Sequence, residues 1–162
     1  MTDMNDDFIN IQSRIKKSIL HILTSESDDD SEKKWLMERV TSHQLKKMAP
    51  QLSVLSLHTL DVIHQNEGIK GIDIAHELNV TKGAISKVTR KLLDHGLIQK
   101  AQLPTNQKEV YFSVTPLGAE LAELHDQLHK ELDKKSLELL KSYDVPSLEI
   151  VAGFLEKLAQ LR

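Results

Sequence analysis

The sequence predicts a mostly α-helical fold with a small β-wing, in which a helix-turn-helix lobe and its hairpin lie between long amino- and carboxy-terminal helices. Three observations lead there. Apolar residues recur at spacings of three and four near both ends of the chain, two helices with a tight turn between them occupy the middle, and two short β-rich runs follow. At 162 residues and 40% hydrophobic content, the chain can build one cored domain, or a small domain with dimerising arms.

In the first helix, Phe8, Ile11, Ile15, Ile19 and Ile22 draw one apolar stripe. The run SESDDDSEKK, 25 to 34, breaks it, and Ser31 is expected to cap a second helix carrying Trp35, Leu36, Val40 and Met48 and ending near Pro50. Ser53 caps a third helix with Leu57, Leu60 and Ile63, closed by Gly68. Ile72 to Leu78 is a short helix, Asn79-Val80 a turn, and Thr81 the cap of a helix running to about His95 and stopped by Gly96. LIQKA, 97 to 101, and EVYFSV, 109 to 114, read as strands, with Pro104, Thr105 and Asn106 at the hairpin tip.

The last third is helical again. Leu117, Leu121, Leu124, Leu128 and Leu132 form one seam, and Leu148, Val151, Leu155 and Leu158 form another after Pro146. These seams and the stripe at Ile11 to Ile22 exceed what a small helical lobe can bury, which predicts a homodimer. The boundaries drawn are 1–50 for amino-terminal helices, 51–116 for a winged helix-turn-helix lobe and 117–162 for carboxy-terminal dimerisation helices.

Composition excludes several classes. Without cysteine there is no disulfide framework and no thiolate metal site. The acidic start MTDMNDDF is the wrong order for a secretory signal, and no apolar run approaches the roughly 20 residues of a membrane span, so no membrane partner and a cytoplasmic location are expected. A net charge of −3 argues against a uniformly basic coat, which leaves any nucleic-acid contact to a local patch.

Such a patch exists. In 69 to 98, Ile74, Ala75, Leu78, Val80, Ile85, Val88, Leu92 and Leu97 form an inner face, with Ala75 small where two helices must cross closely. The outer face of the second helix carries Lys82, Ser86, Lys87, Arg90 and Lys91, with Thr81 at its start, and over 79 to 100 five cations stand against Asp94 alone. Long cations reach phosphates, and arginine pairs bidentately with guanine, so double-stranded DNA is the expected partner.

The segment Leu52 to Leu121 resembles the MarR family of dimeric winged-helix transcription regulators, through DIAHELNVTKGAISKVTRKLLDHGLIQK, the wing, and SVTPLGAEL in place of the family's LTxxG element. The resemblance implies a DNA-binding lobe between dimerisation helices, a role most often of repression, and no enzymatic activity. It also implies a wing that usually carries Asp-x-Arg. Here Asn106-Gln107-Lys108 stands there, so Lys108 keeps a charge without the planar fork.

Two histidines, His125 and His129, stand four apart in ELHDQLH and face one way on a helix, where they can share one ion. HDQLH differs by one methylene from the zincin pattern HExxH, which makes a metal hydrolase the reading from a different class. Within the MarR resemblance, the chain is similar to a zinc-responsive branch that uses a histidine of the third helix, an HxxxH pair after the wing and a glutamate of the second helix. That implies His58, His125 and His129, with Glu38 or His43 as the fourth ligand of zinc or another divalent transition metal. The branch's second site uses a cysteine in some members, and this chain has none. The competing family reading is release from DNA by a small apolar or phenolic effector, for which an aromatic content of 4% offers little stacking surface.

Overall fold

A computed structural model describes residues 4–25, 30–103 and 106–161, with side chains described over 8–19, 32–102 and 109–161. Helix α1, Met4–Ser25, carries the expected stripe, but Phe8 and Ile11 on it are exposed and Ile15 and Ile19 only half-buried. Ile22 and His21 lie outside the described side chains.

The expected second helix is two helices. Helix α2, Asp30–Arg39, begins ahead of Ser31, which therefore lies within the helix and does not cap it; acidic Asp30 suits a helix start. The chain leaves the helix at Val40 and restarts as α3, His43–Met48, where Ser42 is the cap and its Oγ accepts from Leu45 N at 3.4 Å. The β-branched pair Val40-Thr41 ahead of a capping serine favours this break. The break turns Leu36, Val40, Leu45 and Met48 all into the core. Ala49–Gln51 follows as one 3-10 turn with Pro50 at its start.

Helix α4, Val54–Gln65, starts at Ser53, whose Oγ accepts from Ser56 N at 3.2 Å. Its Leu57, Leu60 and Ile63 are buried, each a burial of roughly 1.5–3 kcal/mol. Strand β1, Ile69–Lys70, leads into α5, Gly71–Glu77, and a turn at Asn79, whose φ of 52° is a conformation asparagine tolerates. Thr81 caps α6, Lys82–Asp94, accepting from Ala84 N at 3.2 Å, and Gly96 at φ 67° ends it.

Strands β2, Ile98–Leu103, and β3, Asn106–Val114, extend further toward the tip than the alternation suggests, and Asn106 belongs to β3 and not to the tip. Pro104 and Thr105 lie outside the described residues. The sheet is antiparallel in the order β1-β3-β2, with Ile69 opposite Phe112 and Lys100 opposite Phe112 on the other side. At two residues, β1 is too short to leave a period in the sequence.

Helix α7, Pro116–Leu140, begins at Thr115, whose Oγ1 accepts from Gly118 N at 3.1 Å and donates to Gly96 O at 2.7 Å. A Cβ on Gly118 would stand 1.8 Å from the carbonyl oxygen of Leu97, so only glycine lets α7 cross this close to the base of β2. Leu121, Ala122 and Leu128 of α7 are buried, and α7 packs on α4. Beyond it, helix α8, Val145–Gln160, has no buried residue, and Val151, Phe154 and Leu155 are exposed. No helix among the described residues is long and apolar enough to cross a membrane.

Candidate nucleic-acid interface and metal centre

Helix α6 is divided by its own periodicity. Ile85, Val88, Thr89 and Leu92 are buried, while Thr81, Lys82, Ser86, Lys87, Arg90 and Lys91 are exposed along the opposite face. The Thr81 hydroxyl is used in capping, and Lys91 Nζ donates to the carbonyl of Gln51, which ties the helix to the 3-10 turn. Lys87 and Arg90 are therefore better placed than Lys91 to reach a polyanion.

Between α6 and the sheet lies a cleft of about 550 Å3 whose lining includes Lys82, Ser86, Arg90, Lys100, Lys70 and Glu109. Sequence reasoning missed its floor. Lys70 Nζ donates to Glu109 Oε1 at 2.8 Å, and the Tyr111 hydroxyl donates to Glu109 Oε2 at 2.9 Å. The hydrogen bond from Lys70 holds the Glu109 carboxyl below its ordinary range, and the same bond raises the lysine. Lys108 lies on β3, but its side chain is outside the described residues.

The second site joins the lobe to α7. His58 projects from α4, while His125 and His129, one turn apart, project from α7. Ring centroids are 5.3 Å apart for His58–His125, 5.3 Å for His58–His129 and 4.4 Å for His125–His129. One ring nitrogen from each can be chosen so that all three lie within 4.8 Å of one another.

Two acids border the cluster. Asp61 Oδ2 is 2.6 Å from His125 Nδ1, and Glu32 Oε2, from α2, is 3.5 Å from His125 Nε2. His125 is 0% exposed. Burial alone would push its pKa down, but the hydrogen bond it donates to Asp61 and the charges of Asp61 and Glu32 outweigh this and raise it. His58 is lowered, first by burial and then by the two neighbouring imidazoles.

The fourth position differs from expectation. Glu38 is exposed, its carboxylate lies 3.7 Å from Arg39 Nη1, and His43 is exposed on α3; neither joins the histidines. Glu38 lies six residues, nearly two turns, beyond Glu32 on α2, and it is Glu32 that approaches His125. Glu32 was hidden in an acidic run that reads as a solvated break. Asp126 of HDQLH is half-exposed and paired with Lys130 at 2.5 Å, outside the cluster, where a zincin would need its general base. Of the other histidines, His76 is exposed and His95 ends α6, while His64 is half-buried and its Nδ1 lacks a hydrogen-bond partner.

The donor set suits a divalent transition ion. Among the described residues, His125 Nε2, His129 Nε2 and Glu32 Oε2 are buried without a hydrogen-bond partner. Unpaired buried acceptors and donors are costly, and an ion satisfies lone pairs that the protein leaves open. Three imidazoles are ligands that zinc accepts in tetrahedral sites, and nickel, cobalt or manganese share this chemistry; Glu32 stands 3.5 Å from His125 Nε2 but outside the converging group of three.

Comparison with known proteins agrees with the fold. The sequence model of the MarR family matches residues 52–110. An uncharacterized HTH-type transcriptional regulator of Bacillus subtilis (strain 168), YhjH, is 33% identical over 69% of this chain and 69% of its own length. The HTH-type transcriptional regulator PchR of the same strain is 35% identical over 65% of this chain and 63% of its own. Among solved structures, Lactococcus lactis ZitR, a zinc-responsive MarR family member, superposes with a TM-score of 0.71 at 18% identity, covering 93% of this chain and 97% of that one. ZitR in complex with DNA gives 0.72 at 17% identity, over 92% and 95%.

Proposed function

This chain belongs to the MarR family of transcription regulators, and on that premise we propose that it acts as a homodimer whose hold on a specific DNA sequence is strengthened by zinc or a similar divalent ion. One observation carries the metal part of this reading: three imidazoles from two packed helices converge, and Nε2 of His125 and of His129 is buried without a hydrogen-bond partner. His58, His125, His129 and Glu32 would hold the ion. When bound, it supplies a cross-link between α2, α4 and α7 through their lone pairs.

The residues themselves explain why such a link affects DNA. His58 lies on α4, which packs against α6, so the angle at which α7 leaves the lobe also sets where α6 stands. In a dimer, that angle fixes the separation of two recognition helices, and successive major grooves lie about 34 Å apart. Lys87 and Arg90 supply cations to the groove, and Lys82, Ser86 and Lys108 complete the expected contact surface; Thr81 and Lys91 hold α6 in place. The exposed apolar faces of α1 and α8 are the dimer contacts in this reading, so 1–50 and 117–162 act as arms around 51–116, although the first turns of α7 also serve the lobe core. Metal then acts as a corepressor. That the relatives are named transcription regulators supports a non-enzymatic role.

The test is fluorescence anisotropy on a duplex that the protein itself selects from a random library, with zinc buffered by a chelator. DNA affinity should rise with zinc in the wild type and stay flat in His58→Ala, which retains the α7 pair. Equal wild-type affinity with and without metal would sink the metal reading and leave release by an apolar or phenolic effector as the family mechanism to test.

A further inference from the structure

Asp61 lies three residues after His58 on α4, so one helix face delivers both a candidate ligand and a carboxylate to α7. One oxygen of the carboxylate, Oδ2, meets Nδ1 of His125 at 2.6 Å, 64 residues away in sequence, while Oδ1 is buried without a hydrogen-bond partner. Asp61 is itself only 15% exposed and His125 is fully buried, so water does not compete for this bond. The structure assigns Asp61 as a positioning residue of the histidine centre, holding the His125 imidazole as its Nδ1–H tautomer so that the Nε2 lone pair, on the Glu32 side, is left open for an ion shared with the other two histidines. This assignment rests on the metal reading above.

The geometry leaves little choice of tautomer. A neutral imidazole has one N–H, and placing it on Nε2 would set the Nδ1 lone pair against a carboxylate lone pair at hydrogen-bond distance. With the proton on Nδ1, it donates to Asp61, and Nε2 is free to donate an electron pair to a cation. A carboxylate accepting from the far nitrogen also makes the ligating nitrogen a better donor. Charge agrees as well. Glu32 and Asp61 bring two negative charges to a buried imidazole, and a divalent cation is the charge that offsets both.

Histidine-labelled protein decides the matter in two arms. Long-range proton–nitrogen NMR on the metal-free protein, at a pH alkaline enough to keep the ring neutral, should report His125 as Nδ1–H in the wild type and in Asp61→Asn, whose amide oxygen still accepts. Asp61→Ala should populate Nε2–H. In competition with a chromogenic chelator, Asp61→Ala should bind zinc about 10- to 100-fold more weakly, with Asp61→Asn between it and the wild type. Thermal melts followed by circular dichroism establish that each variant is folded, and if Asp61→Ala is not, the loss expected for Asp61→Asn stands as the test. A wild type that binds no zinc overturns the metal reading itself. A wild type that binds zinc, with unchanged affinity in both variants or an unchanged tautomer in Asp61→Ala, overturns the assignment of Asp61 alone.

Discussion

The two halves of α7 share a helix and a leucine content but not an environment. Up to His129 the helix buries Leu121, Ala122, His125 and Leu128 against the lobe; beyond it, Leu132, Leu137, Leu139 and Leu140 are all exposed. An apolar period therefore does not say whose core it enters. In the proposed dimer the first half belongs to the lobe and the second half to an arm, with the histidine pair where one becomes the other. A cross-link placed there acts on the angle between the two, which is why a metal at this point would govern DNA binding.

The sharpest way to break that division is to remove the partner of the arm. Phe154 and Leu155 on α8 are each 46% exposed, and replacing both with aspartate should leave the lobe folded while giving a monomer by sedimentation. Affinity for a duplex with two half-sites should then fall by about 10²- to 10⁴-fold, the loss expected when two tethered contacts become independent. A dimer that survives both substitutions would mean that these exposed faces do not hold it together.

Within α7 itself, two leucines one turn apart separate the regimes. Leu128 is 4% exposed and Leu132 is 44% exposed. Leu128→Ala should cost about 2–5 kcal/mol in urea unfolding of the monomeric arm variant, whereas Leu132→Ala should stay within about 0.5 kcal/mol there. Similar costs would erase the boundary drawn at His129.

Sequence and structure part company along the same line. The lobe was legible because α6 alternates buried Ile85, Val88 and Leu92 with exposed cations, and because Ser53, Thr81 and Gly96 mark helix ends through chemistry that acts locally. His58 was found only through the family resemblance. Glu32 and Asp61 carry no such mark: one sits in a run of charge, the other among the apolar residues of α4, and each meets a histidine more than sixty positions away. The break at Val40 to Ser42 was equally hidden, since Trp35, Leu36, Val40 and Met48 fit one helix until Leu45 must also reach the core. Long-range pairing, unlike capping, leaves no period to read.

On the recognition helix the expected effects are smaller and confined to DNA. Arg90→Ala should weaken binding by roughly 1–3 kcal/mol and relax specificity at one base pair if it reads a base, or lower the salt slope by about one if it meets phosphate. Lys91→Ala should act differently, because Lys91 is bonded to Gln51 O: it should loosen the 3-10 turn more than it alters the salt slope. Equal salt slopes for wild type and Arg90→Ala, with unchanged affinity, would take this face out of the interface.

The smallest expected effect bears on the joint between α2 and α7. Trp35 Nε1 donates to Glu131 Oε2 at 3.1 Å, two residues past His129, and Trp35 lies one turn beyond Glu32 on α2. This bond therefore helps hold the helix that carries the Glu32 carboxylate against the helix that carries two of the histidines. Trp35→Phe keeps most of the apolar body and deletes the donor, at an expected cost of about 0.5–1.5 kcal/mol, and Arg39 retains an aromatic face to cover. If Glu32 is the fourth ligand, part of that cost should appear in zinc affinity, as a loss of a few-fold, roughly what about 1 kcal/mol amounts to. Glu131→Gln, whose amide oxygen still accepts from the indole, should lose less. Because Trp35 is the single tryptophan, its emission in the wild type also reports the joint directly, and zinc should shift it. Emission indifferent to zinc, together with unchanged zinc affinity in Trp35→Phe, would separate α2 from the metal centre and leave three histidines to act without Glu32.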